Sequence, residues 1–148
     1  MMSEVSDYIQ RIQSALHITF QKMQPEMLES MNALGVTPTQ LFVLAFLNKE
    51  GSAKVSQLAE KMGVKPSAVT FMVDRLEQHK LVMREHDTKD RRVVNISLTK
   101  QGEEKFKKIL QERKVIVERY LSHLTKEELL FTAEIAEKLA QSAISEKE

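Results

Sequence analysis

With 148 residues, 42% of them hydrophobic and 29% charged, the chain has material for one compact, water-soluble domain and is short for two independent ones. The lack of cysteine excludes disulfides, thiolate metal sites and thiol redox sensing, and no run approaches the roughly 20 apolar residues that span a bilayer. The opening Met1-Met2-Ser3-Glu4-Val5-Ser6-Asp7 lacks the basic start and apolar stretch of a signal peptide, so the expected location is the cytoplasm, with no membrane as a partner.

The first helical pattern sets Val5, Ile9, Ile12, Leu16, Phe20 and Met23 at steps of three and four. Pro25, with no amide hydrogen, is expected to end or kink that helix, leaving a short piece with Met27, Leu28 and Met31 that stops near Gly35. The next helix has a clear start. Thr37 can cap it, Pro38 suits its first turn, Gln40 can complete a capping box, and Val36 and Leu41 form a hydrophobic staple. It runs through Leu41, Leu44, Ala45 and Leu47 to a turn at Gly51. Two short helices follow, Ser56 to Met62 and Pro66 to His79, then two strand-like runs, Leu81 to Glu85 and Val93 to Leu98. In the second run, Val94, Ile96 and Leu98 share one face. A long helix after Thr99 carries Phe106, Ile109, Leu110, Val117, Tyr120, Leu121 and Leu124. Thr125 and Glu128 repeat the capping box, with Leu124 and Leu129 as its staple, and open a last helix bearing Leu129, Leu130, Ile135 and Leu139.

Four helices, a hairpin and two helices make a mainly α fold with a small β-hairpin wing. Val55 to Val69 has the spacing of a helix-turn-helix. Ala59 is small where two helices must cross, Gly63 tolerates a left-handed turn, and Val69 packs back from the second helix. Val69, Met72, Val73 and Leu76 face inward. The start of the other side is short and polar, able to enter a major groove about 12 Å wide. Ser67 and Thr70 suit phosphate or base edges, and Lys65 and Arg75 suit phosphates. The loop between the strands carries Lys89, Asp90, Arg91 and Arg92. An arginine there can enter a narrow minor groove, and Asp90 can hold Arg92 through a bidentate pair. Net charge is only +1, but residues 65 to 114 hold 13 Lys and Arg against 8 Asp and Glu, a net of +5 between acidic flanks.

Asp74-Arg75-Leu76-Glu77, then Leu81-Val82-Met83-Arg84, Asp90-Arg91-Arg92 and Leu98-Thr99-Lys100-Gln101-Gly102 form a spaced series that resembles the MarR family of transcriptional regulators, over nearly the whole chain. The resemblance implies one domain over 5–143. Segments 1–36 and 106–148 supply helices that intertwine in a homodimer. Residues 37–105 form the DNA-binding winged helix, with the helix-turn-helix at about 55–79 and the wing at about 81–98. It implies a repressor that binds pseudo-palindromic operators in double-stranded DNA and is released by a small ligand or stress signal. Lys65, Ser67, Thr70 and Arg75 then fall on the recognition helix with Pro66, Ala68 and Phe71, while Lys89, Asp90, Arg91 and Arg92 fall on the wing.

Two positions depart from the family pattern. Lys80 stands where the family often has glycine, so the helix exit is open to difference. Phe71 stands where smaller or basic residues are common, and it can touch thymine methyls or pack inward. His17, Phe20, Met23 and Met27 are the candidate effector pocket, with plain core packing as the other reading of the same four residues. No catalytic motif appears, so no enzyme, cofactor or metal is expected. His17 and His123 would make a metal site only by meeting across a dimer with carboxylates nearby. Two readings stay open on residues alone. The winged helix is either a DNA reader or a protein-interaction module, and the terminal helices pair with a second copy or pack on their own domain.

Overall fold

The computed structural model describes residues 3–146; Met1, Met2, Lys147 and Glu148, at the outer ends of the 1–36 and 106–148 segments, lie outside them. Six helices and three short strands run in the order α1 (Glu4–Ala33), α2 (Pro38–Glu50), β1 (Ser52–Ala53), α3 (Val55–Met62), α4 (Pro66–Gln78), β2 (Val82–His86), β3 (Val94–Leu98), α5 (Lys100–Leu121) and α6 (Lys126–Ser145). Two compact units divide the chain, 1–113 and 114–148.

Local chemistry sets the helix ends. At α2, Thr37 Oγ1 accepts from the Gln40 amide at 3.2 Å while Gln40 Oε1 accepts from the Thr37 amide at 3.0 Å. The reciprocal pair recurs at α6 between Thr125 and Glu128, so both expected capping boxes form. Pro25 does not divide the first helix. It sits inside α1, and the expected short piece around Met27 is the same helix continued. Proline deletes a single amide hydrogen there, and the turns beyond it are anchored by buried Met31 and by Ser30 Oγ donating to Glu112 at 2.7 Å.

The core of the first unit joins Val43, Leu44 and Leu47 of α2, Leu58 and Ala59 of α3, Val69, Val73 and Leu76 of α4, Val82 and Ile96 of the sheet, and Phe106 and Ile109 of α5. Each large side chain sealed there contributes about 1.5–3 kcal/mol relative to leaving it in water. The sheet has the order β1-β3-β2, all antiparallel, with Val82 opposite Leu98, Arg84 opposite Ile96 and His86 opposite Val94. β1 was not expected. It pairs Ser52 with Ser97 and Ala53 with Ile96, and makes β3 the central strand.

The base of the hairpin is closed tightly. Lys80 takes the left-handed backbone (φ 61°) that glycine would, at a cost of about 1 kcal/mol, so the helix exit keeps its form despite the lysine. Its carbonyl accepts from Thr99 Oγ1 at 2.6 Å, and the Thr99 amide donates to the Leu81 carbonyl at 3.1 Å. Gly102 packs so close that a Cβ there would overlap the Leu81 carbonyl, which explains why this turn of α5 carries glycine. In the second unit α6 buries no residue. Along it Leu130, Phe131, Ile135, Leu139 and Ile144 are exposed, as are Val5, Ile9, Ile12, Leu16 and Phe20 along α1.

Candidate nucleic-acid interface

The turn between α3 and α4 follows from Gly63. Its φ of 66° lets Val64 donate back to the Ala59 carbonyl at 3.1 Å, ending α3 sharply. Pro66 then supplies a pre-set first turn for α4. Buried Ala59 leaves room for α4, which turns Val69, Val73 and Leu76 into the core with no exposed surface. Lys65, Pro66, Ser67, Ala68, Thr70, Phe71 and Arg75 consequently all stand exposed. Thr70 Oγ1 donates to the Pro66 carbonyl at 3.1 Å. Phe71 does not pack inward. It is 60% exposed, and the Arg75 guanidinium lies over its ring at 5.1 Å from the centroid.

The wing tip lies between β2 and β3. Arg92 Nε and Nη2 reach Asp90 Oδ1 and Oδ2 at 3.1 and 3.3 Å, the bidentate pair expected from sequence, and the Arg92 amide adds a bond to Oδ1 at 3.0 Å. These contacts hold the Asp90 carboxyl below its ordinary value, the Arg92 side chain first, then its amide, with Lys54 adding attraction. The His86 ring Nδ1 bonds the Arg91 carbonyl at 2.8 Å. Lys89, Arg91 and Arg92 are all exposed. An exposed helix face and a basic loop are thus built into the same unit, and the chemistry they offer suits phosphate and base-edge contact.

His17, Phe20, Met23 and Met27 lie along successive turns of α1, the first two exposed and the others half-buried. No group of three or more His, Asp or Glu among the described residues could hold a metal ion. No single helix among them is long and apolar enough to cross a membrane. Sequence reasoning placed Arg84 in the family series but gave it no role. It donates to Asp74 at 2.5 Å and to Glu77 at 3.0 Å, joining α4 to β2. The signal was an arginine two residues after core-bound Val82, with acids one turn apart on the preceding helix.

These elements define a winged helix-turn-helix protein. The MarR family model matches residues 36–94, from the start of α2 through the wing loop. The HTH-type transcriptional repressor MdtR of Bacillus subtilis (strain 168) is 58% identical over 142 residues, 96% of this chain and 92% of that one. The solved YusO protein from Bacillus subtilis superposes with a TM-score of 0.85 at 57% identity, covering 95% of this chain and 99% of that chain. A MepR-like protein solved in complex with pseudoligands gives a TM-score of 0.58 at 42% identity, covering 89% and 93%. The chain belongs to the MarR family of DNA-binding transcriptional regulators, which are not enzymes.

Proposed function

We propose that the protein is a repressor that works in the cytoplasm as a homodimer, gripping a pseudo-palindromic operator and letting go when a small ligand or stress signal arrives. Residues 5–143 act as one working unit. Segments 1–36 and 106–148 pair with a second copy, and 37–105 meet the duplex through the helix-turn-helix at about 55–79 and the wing at about 81–98. Lys65, Pro66, Ser67, Ala68, Thr70, Phe71 and Arg75 enter the major groove. Lys89, Asp90, Arg91 and Arg92 serve the adjacent minor groove, and His17, Phe20, Met23 and Met27 line the effector site.

The observation that carries this reading is the Arg92 guanidinium, held by Asp90 at the tip of an exposed basic loop in the same unit as a solvent-facing recognition helix. A cation fixed before binding loses less freedom when it enters a groove. Pairing is supported by the apolar stripes of α1 and α6, since a two-fold copy is the simplest cover for a face of that kind. Repression is supported by the 58% identical repressor, and a small-molecule site by the MepR-like protein complexed with pseudoligands.

The test is a binding titration on duplex DNA at rising salt. Affinity is expected to fall steeply, because each phosphate contact releases counterions. Arg92→Ala is expected to weaken binding about thirtyfold while the dimer persists. Salt-insensitive binding, or full affinity in Arg92→Ala, would overturn the assignment.

A further inference from the structure

We infer that Arg84 is a positioning residue for DNA binding: it clasps the recognition helix to the wing strand and so fixes the span between groove-reading helix and wing tip. Thr70, Asp74 and Glu77 lie at steps of four and three, one stripe of α4. The Arg84 guanidinium reaches all three: Nη2 to Asp74 Oδ1 at 2.5 Å, Nη1 to Glu77 Oε1 at 3.0 Å, and Nη2 to the Thr70 carbonyl at 3.5 Å. A planar fork spanning two helical turns fixes both the distance and the rotation of α4 against β2, which a single point charge does not.

The strand explains why the clasp sits where it does. Val82, Arg84 and His86 share one face of β2, opposite Leu98, Ile96 and Val94. Val82 is in the core, Arg84 is one-quarter exposed, and His86 bonds the Arg91 carbonyl in the tip loop. One face of a five-residue strand therefore passes from core to helix clasp to wing tip. The charges matter as well. Asp74 and Glu77 are acids on the helix that approaches a phosphate-lined groove, and Arg84 offsets one of their two negative charges.

This inference rests on the wing gripping DNA, so the experiment carries an internal reference. The full-length protein, Arg84→Ala, Arg84→Lys, the double variant Asp74→Ala with Glu77→Ala, and Arg92→Ala are compared on one duplex, selected from a random-sequence pool by the unaltered protein. Affinity over a salt series, hydroxyl-radical protection of the minor groove, dimer state and melting temperature are measured. Arg84→Ala is expected to lose about tenfold in affinity, to flatten the salt dependence by about one contact, and to lose minor-groove protection at the flanks as Arg92→Ala does. Its melting temperature should barely move, and Arg84→Lys should restore only part of the protection.

The double alanine variant separates geometry from charge. It gains two units of positive charge, yet under this inference it also loses flank protection, because the fork has lost both side-chain acceptors on α4. Full protection and an unchanged salt slope in Arg84→Ala, with both lost in Arg92→Ala, would overturn the clasp while sparing the wing. Full protection and an unchanged slope in both single variants would overturn the wing assignment and the clasp with it. If Arg84→Ala fails to fold, the double variant decides, since retained flank protection there would overturn the clasp.

Discussion

Leu44, Leu58, Val69, Val73, Leu76 and Ile96 of the winged body are sealed from solvent, whereas Phe131, Ile135, Leu139 and Ile144 along α6 keep between 59% and 67% of their surface exposed. Both regions use apolar residues at helical spacing. The winged body needs five helices and a sheet to cover its share, and it finds them within the first 113 residues. The stripe on α6 finds no such cover. Spacing alone therefore says that a face will be buried, and not by what.

The sharpest way to break this contrast is to truncate one residue on each side of it. Leu44→Ala opens a cavity in a close-packed core and is expected to cost about 3–5 kcal/mol in urea denaturation. A loss below about 1 kcal/mol would mean that the body is looser than its burial implies. On the other side, Ile135→Glu with Leu139→Glu is expected to raise the dimer dissociation constant about a hundredfold, read by sedimentation at falling concentration. An undiminished dimer would mean that α6 leaves these side chains in water.

Phe71 is the exception within the winged body, an exposed aromatic beside Arg75. If it meets DNA as proposed, Phe71→Ala should lose about tenfold in operator affinity and nothing in dimerisation. Replacing operator thymines with deoxyuridine should weaken the unaltered protein but not the variant. Lys80→Gly sharpens the comparison from within the body. Relief of the left-handed lysine should raise stability by about 1 kcal/mol without changing dimer or DNA affinity. The smallest effect concerns pH. Because Arg92 depresses the Asp90 pKa, the wing contact is complete above the ordinary aspartate value of about 3.9 and is lost only as pH falls through the depressed one. The difference in operator affinity between the unaltered protein and Asp90→Asn should therefore stay constant from about pH 8 to about pH 5.

Much of this was legible in the chain because the signals are local. The two capping boxes, Gly63 and the alternation around Ile96 each act over a few residues, and each is realised. The bidentate Asp90–Arg92 pair was legible for the same reason, its partners being two residues apart. What escaped depends on contacts between distant segments. β1 is two residues long, too short to show alternation, and exists only because β3 lies beside it. Arg84 reaches acids seven and ten positions away on another element. The separate short piece expected beyond Pro25 is instead the same helix continued, because one missing amide was weighed without the anchors at Met31 and Ser30 that hold it there.

The tight base of the hairpin has an evolutionary corollary. Lys80, Leu81, Thr99 and Gly102 knot the two ends of the wing together, so whatever lies between them hangs from a fixed collar. Residues inserted between Thr88 and Lys89 should leave the helices undisturbed, and a whole wing should be exchangeable between related regulators as a cassette. Lineages are then free to lengthen or recharge the tip and acquire new operators without rebuilding the body that carries it.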